Sequence, residues 1–325
     1  CAESRDSVAL AVKTSDSTEL EAAIVAAGGV AAALRSREHW LQHPQMQAVA
    51  KEPLIHFSNR GRGQVSAWQG SLQRPLQGLK VLDLTRVLAG PVATRTLAGF
   101  GAQVLRIDPP GWEEANVVPD VTLGKRCARL RLDEQNDRAV FESLLSQADV
   151  LVHGYRPDAL ERLGYGDKQR KVIAPNLLDV ALDAYGWSGP WAGRRGFDSL
   201  VQMSCGIASE GMSWAQRDLP TPLPVQALDH ATGYLMAAAI LRLLNNALSH
   251  GEVGSARLSL VRTAELLIAN RQLHDGDFSG VPEKRHFAEL EENTAWGRAR
   301  RLRPALSVEG VAMHWDTPAC DLGSD

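Results

Sequence analysis

From residue 231 to 244 the chain is apolar almost without interruption, and only Thr232 and Arg242 are strongly polar. Apolar residues all the way round predict a helix buried on several sides, across the stretch LPVQALDHATGYLMAAAILRLLNNAL at 223–248. The run is too short and too interrupted to span a membrane, which needs about 20 apolar residues. Asp229 stands where this helix should begin. Two roles suit a carboxylate there. It can cap the helix by accepting from an unpaired N–H of the first turn. It can also be a nucleophile, kept ionised by the helix N-terminus and aimed into a cleft.

Upstream, LKVLDL from Leu79 is a near-continuous apolar run of the kind that forms a central strand of a parallel sheet. The turn TRVLAG, a helix with Pro91 at its first position and the strand QVLRID follow, which makes a βαβ unit. Alternating helices and strands continue: a helix over 136–147, a strand over 149–152, a helix over 158–163 and a strand over 177–182. After the long helix the pattern predicts a strand at 256–260 and a helix at 263–269. Before Leu79, residues 1–18 are polar and unpatterned, a helix starting at Thr18 is closed by Gly28 and Gly29, a strand is expected at 30–34, and a helix at 36–43 is stopped by Pro44. The order of elements predicts an α/β fold with an open, doubly wound parallel sheet. It divides into a small α/β segment at 1–57, a linker at 58–75, a large domain at 76–270 and a C-terminal arm at 271–325 with a β-hairpin across 305–314.

Composition narrows the function. With 44% hydrophobic and 22% charged residues the chain forms an ordinary core, and a net charge of −3 gives no reason to expect nucleic acid as a partner. The four cysteines show no CxxC spacing, which argues against a disulfide framework and a thiolate metal site and suits a reducing, cytoplasmic setting. His39 and His43 have the i, i+4 spacing of a zinc pair, but no third ligand follows, so a solvated helix face is expected. Asp108, ending its strand, would suit a ribose, yet the turn reads Leu88-Ala89-Gly90-Pro91 and lacks the GxGxxG fingerprint. That argues against NAD and disfavours a dinucleotide-dependent oxidoreductase, and it leaves the helix start to receive a phosphate or a pantetheine amide. Arg194 and Arg195, in the loop AYGWSGPWAGRR, are candidates to hold an anion.

The run LKVLDLTRVLAGPVATRTLAGFGAQVLRIDPPG resembles the first βαβ unit of the family III CoA-transferases, the formyl-CoA and carnitine CoA-transferase group. Four further stretches fit the same family in order: GKRCARL, ADVLVHGYRPDALERLG, GWSGPWAGRRGFDSLVQ and LDHATGYLMAAAILRLL. The resemblance implies that Asp229 is the catalytic aspartate and that Leu88, Ala89 and Arg162 contact CoA. It also implies that Gly196, Phe197 and Asp198 form the loop beside the acid, converging with the others at the carboxyl ends of the strands. CoA then enters as an acyl-CoA co-substrate, with a carboxylic acid as acceptor, no metal, no membrane partner, and a homodimer as the full-length state. Two departures stand out. Phe197 occupies the place of the catalytic histidine of the racemase branch, and Asp133 replaces a basic residue near the CoA contact. The segment ELEAAIVAAGGVAAALRSREHWLQHPQMQAVA resembles the family's small domain but precedes the large one. The expectation is therefore a later portion of a longer, partly duplicated protein. Transfer of CoA through an aspartyl-CoA thioester is the reading; an acyl-CoA isomerase or a non-catalytic CoA-thioester-binding protein are its rivals.

Overall fold

The computed structural model describes residues 4–65, 68, 70–155, 157–272 and 280–325. Seven strands form one sheet: β1 (His56–Arg62), β2 (Lys80–Leu84), β3 (Gln103–Asp108), β4 (Lys125–Arg129), β5 (Val150–His153), β6 (Leu178–Asp183) and β7 (Glu252–Ser259). Their order across the sheet is β1-β7-β6-β5-β2-β3-β4. β2, β3, β4, β5 and β6 pair in parallel, and β1 runs antiparallel to β7. The central strands are the ones whose sequence is apolar on both faces: β5 is buried along its whole length and β2 at every position but Lys80.

Helices fill the connections. In chain order they are α1 (Arg5–Lys13), α2 (Ser17–Ala26), α3 (Arg37–Gln42) and α4 (Pro44–Val49), all before the sheet begins. α5 (Ala89–Gly99), α6 (Val118–Val121), α7 (Gln135–Gln147), α8 (Pro157–Arg162) and α9 (Asp167–Ile173) lie between β2 and β6. α10 (Asp198–Cys205), α11 (Ile207–Ala215), α12 (Ala227–His250) and α13 (Leu260–Ala269) come after β6. Among the described residues no helix is long and apolar enough to cross a membrane.

The chain folds into two compact units that do not follow its order. One comprises 55–182, 229–257 and 272–325; the other comprises 1–54, 183–228 and 258–271. In the first, Leu82, Leu84, Phe141, Leu145, Leu151, Tyr165 and Leu177 form a core cluster between the sheet and the helices of 135–173. Strand order runs outward from β2 through β3 to β4, then restarts at β5 on the other side of β2. That restart makes the carboxyl ends of β2 and β5 the switch point, where open α/β sheets leave a crevice.

Several elements differ from the sequence expectation, each for a local reason. The stretch expected as a linker from residue 58 holds most of β1, whose Gly61 at φ +124 sits at the bulge in its pairing with β7. No strand forms at 30–34. The Ala33 N–H donates instead to the Glu21 carboxylate at 2.9 Å, and the Arg35 N–H donates to the Met203 carbonyl. Residues 5–13 form a helix behind a Ser4–Ser7 capping box, without burying any residue. Pro44 ends α3 and also opens α4, with His43 as its cap: Nδ1 accepts from the Gln45 N–H at 3.1 Å. The His43 ring stacks on Trp40 and packs at a tilt against Trp191, so it is not on a solvated face. The C-terminal hairpin is formed by β8 (Glu292–Thr294) and β9 (Gly297–Ala299), while only an isolated bridge, Val308 to Val311, falls within 305–314.

Candidate functional site

At the carboxyl end of β2 the chain turns sharply into α5. Beneath the turn lies Asp83, fully buried, whose carboxylate accepts from the Thr85 N–H (2.9 Å), the Thr85 and Thr94 hydroxyls (2.5 Å each) and the Lys125 ammonium (2.8 Å). Burial alone would raise the Asp83 carboxyl, but the charges of Lys125 and Arg106 and these donors hold it below the ordinary range. Lys125 also donates to the Pro91 carbonyl at 3.1 Å, which ties β4 to the first turn of α5. Gly90 is obligatory here, because a Cβ would lie 2.3 Å from the Thr85 side chain.

The turn itself is strained. Val87, a β-branched residue, adopts φ +65, and its N–H donates to Glu114 at 2.7 Å. Glu114 is fixed in turn by Arg106, which also pairs with Asp108. A non-glycine held in this region by a dedicated carboxylate is the kind of outlier that marks a ligand turn. Asp108 therefore serves Arg106 at 2.7 Å and is not free to receive a ribose.

Beside the turn, the Arg86 guanidinium lies between the rings of Trp112 (4.6 Å) and Tyr155 (5.3 Å) and donates to the Tyr155 hydroxyl at 2.9 Å. Tyr155 follows β5, so a positioned cation and two aromatic rings lie just past the carboxyl ends of the central strands. Sequence reasoning did not single out these three residues. The signal was faint: TRVLAG, DPPGW and HGYRP each bear one of them just past a strand.

Asp229 belongs to the same unit. It is not the N-cap of α12: the helix begins at Ala227, after a 3-10 turn over Pro224–Gln226 in which Val225 and Gln226 take positive φ. Asp229 is thus in the first turn, 5% exposed, where the helix dipole still favours its charge. One turn on, a Cβ at Gly233 would lie 2.6 Å from the Ala89 carbonyl and 2.7 Å from Val92. Residues at i and i+4 share a helix face. The face carrying Asp229 is therefore the one that packs on the Leu88–Ala89 turn. Gly233→Ala is expected to cost about 1–3 kcal/mol by overpacking and to lower the affinity for acyl-CoA. Thermal unfolding and a direct binding titration check this; an unchanged midpoint with unchanged affinity would contradict the close approach.

The other predicted residues are placed differently. Arg162 closes α8 and pairs with Asp158 at 2.8 Å on its own exposed face. Asp133 is exposed and pairs with Arg131. Gly196, Phe197 and Asp198 belong to the second unit. There Phe197 precedes α10 and is 44% exposed, and Asp198 is buried and accepts from Gln202 at 2.5 Å. Arg194 is not free for an anion: it pairs with buried Glu21 at 2.5 Å and stacks on Trp191 at 4.0 Å. Arg195 donates to the Gly28 carbonyl. Burial pushes the Asp183 carboxyl, at the head of this loop, up to about 7, even though it accepts from the N–H groups of Tyr185 and Gly186.

A cleft of about 540 Å³ lies elsewhere, at the amino ends of β2 and β3, lined by Lys80, Gln103, Arg126 and Asp316 among others. The strained turn at Val87 lies at the opposite, carboxyl end of β2.

The fold is an open α/β sheet whose β2–α5 turn packs against the helix that carries the buried Asp229. Residues 76–295 match the model of CoA-transferase family III, and the chain belongs to that family. It is 38% identical over 180 residues to an acetyl-coenzyme A transferase of Hypoxylon pulicicidum, covering 54% of this chain and 30% of the relative. It is 30% identical over 204 residues to a human succinyl-CoA:glutarate CoA-transferase, covering 57% and 46%. Among solved structures it is similar to a hypothetical protein of Mycobacterium tuberculosis (31% identity, TM-score 0.56; 61% of this chain, 57% of that one). A CAIB/BAIF family protein of Brucella suis shares the fold (22% identity, TM-score 0.52; 70% and 65%). The chain thus spans about a third to a half of the length of the two curated relatives described.

Proposed function

We propose that this chain carries the CoA-binding and nucleophilic part of an enzyme that transfers CoA between carboxylic acids, with Asp229 as the nucleophile. The observation that carries this reading is the packing of the Asp229-bearing face of α12 on the Leu88–Ala89 turn, through Gly233. In this scheme the acyl-CoA lies over the start of α5. The amide N–H groups of Leu88 and Ala89 would donate to its phosphate or pantetheine oxygens, with Arg86 as a nearby cation and Arg162 as a further contact. Gly196, Phe197 and Asp198 are proposed as the loop serving the acyl end. A homodimer of the full-length protein is part of the same proposal.

The chemistry follows from the carboxylate. Asp229 attacks the thioester carbonyl of the donor; the C–S bond breaks, giving a mixed anhydride and CoA thiolate. The thiolate attacks the aspartyl carbonyl, releasing the donor as a free carboxylate and leaving an aspartyl-CoA thioester. An acceptor carboxylate attacks that thioester, the C–S bond breaks, and a second mixed anhydride and CoA thiolate form; the thiolate attacks the acceptor's acyl carbonyl, the acyl C–O bond breaks, and Asp229 leaves as the free carboxylate. A carboxylate of pKa about 4 is ionised at neutral pH and needs no base, but it is a weak nucleophile. The site must supply position and donors for the oxyanion, and backbone amides at the helix start of α5 suit that task.

Incubating the full-length protein with an acyl-CoA, then digesting and weighing its peptides, tests this. A CoA adduct on the Asp229 peptide is expected. Binding without an adduct would make the protein a CoA-thioester carrier. Exchange of the α-proton without an adduct would make it an isomerase, for which Phe197 offers no proton.

A further inference from the structure

β4 is an outer strand of the sheet, and an outer strand left bare is a template for unwanted pairing. Here the C-terminal segment covers it. The Gly124 N–H donates to the Thr317 carbonyl at 3.1 Å, and the Asp325 N–H donates to the Cys127 carbonyl at 3.0 Å. The Asp325 carboxylate accepts from the Cys127 N–H at 3.0 Å and from Arg126 at 2.8 Å. The Trp315 indole N–H donates to the Arg95 carbonyl at 2.8 Å. Within this seam, Cys127 and Cys320 meet in one small apolar cluster with Val118 and Leu322, against Trp112. The Cys320 thiol donates to the carbonyl of Lys125, two residues before Cys127 on β4, at 3.6 Å.

The two sulfurs are not equivalent. Cys127 is fully buried, whereas Cys320 is half-buried and reaches the surface. Interaction with Cys127 lowers the Cys320 thiol to about 7 against the opposing effect of burial, while the same interaction, with burial, raises Cys127. Cys205, by contrast, is buried and pushed up to about 12 by its surroundings. Nucleophilic reactivity follows thiolate character and access, so Cys320 is the reactive member and Cys127 its neighbour in reserve.

We propose that Cys127 and Cys320 form a reversible oxidation site, at which a peroxide converts the pair into a disulfide that staples the C-terminal segment to the outer strand. In the first step the Cys320 thiolate attacks one oxygen of the peroxide. The O–O bond breaks, an S–O bond forms, and the leaving hydroxide takes a proton to become water. Cys320 is then a sulfenic acid. In the second step the Cys127 sulfur attacks the Cys320 sulfur. The S–S bond forms as the S–O bond breaks, and the hydroxide leaves as a second water with the proton from Cys127. Two thiols and one hydrogen peroxide thus give one disulfide and two waters, and a small dithiol reverses the change. The site is independent of CoA transfer and stands or falls apart from it.

The test uses the full chain, reduced and freed of reductant. It is treated with a small excess of hydrogen peroxide, alkylated, and digested without reductant. The expected product is a pair of peptides holding Cys127 and Cys320, joined at a mass two hydrogens below their sum and separated by dithiothreitol. Cys205 should stay alkylated. Oxidation should raise the thermal midpoint by several degrees, reversibly, because the cross-link closes a long loop. Cys320→Ser, at a half-exposed position, should fold normally and give no cross-link and no shift. The proposal is overturned if both thiols are recovered alkylated, if Cys320 passes to sulfinic acid without a cross-link, or if the bridge forms to Cys205 instead.

Discussion

Asp229→Asn is expected to abolish CoA transfer in the full-length protein, by at least about a thousandfold in kcat, while leaving the fold in place. The substitution keeps the volume and one acceptor oxygen but removes the anion. A neutral amide cannot form the anhydride, and no neighbouring group can substitute for a covalent nucleophile. The structural cost is small. Asp229 lies in the first turn of α12 and not at its cap, and Asn keeps an acceptor there while giving up the interaction of a negative charge with the helix start, worth about 0.3–1 kcal/mol. Acyl-CoA binding should survive, since the Leu88–Ala89 turn is untouched. Turnover, binding and melting measured on one preparation separate the roles. Transfer that persists would make Asp229 a helix residue and nothing more.

Lys125→Met is expected to produce the largest loss of stability. Lys125 and Asp83 are both fully buried and 2.8 Å apart. Removing one partner of such a pair leaves an uncompensated charge and costs about 3–5 kcal/mol, or a fall of about 10 °C in the thermal midpoint. The effect also reaches the candidate site, because the Asp83 carboxylate holds the Thr85 N–H and Lys125 holds the Pro91 carbonyl. Affinity for acyl-CoA should fall with stability. Adding Asp83→Asn to the same chain removes the stranded charge and keeps an acceptor for Thr85 and Thr94. The double variant should therefore melt higher than the sum of the two single losses predicts, by about 1–3 kcal/mol of coupling. Strict additivity would show that the two residues do not act as a pair.

Much of the fold was legible in the sequence because its signals are local. The unbroken apolar runs of β2 and β5 report strands buried on both faces. The βαβ unit was legible from its turn residues, although α5 starts at Ala89, two residues before the Pro91 expected at its first position; Pro91 is still in the first turn, where its missing N–H has no partner to lose. Helix α12 was visible from its nearly unbroken apolar run, and the family to which the chain belongs from the resemblance of five ordered stretches to its motifs. The start of α12 was less so. Pro224 opens a 3-10 turn whose positive-φ residues, Val225 and Gln226, carry no local signature, and the helix starts two residues earlier than Asp229.

What only the tertiary structure decided are pairs of residues far apart in the chain. Asp83 and Lys125 are 42 residues apart, and nothing around either announces that each is the other's counter-ion. Arg194 reads as a free cation in a glycine-rich loop, but Glu21 claims it across 173 residues. Residues 30–34 have the apolar run of a strand, yet a carboxylate and a distant carbonyl take the amides that a ladder would use. His39 and His43 look like a pair by spacing, whereas packing turns His43 into a cap between two indoles. The four cysteines appear scattered, and only folding brings Cys127 and Cys320 into contact. Periodicity along the chain records which face of an element is buried. It holds no record of which distant side chain meets that face, because that choice is made by the packing of whole elements.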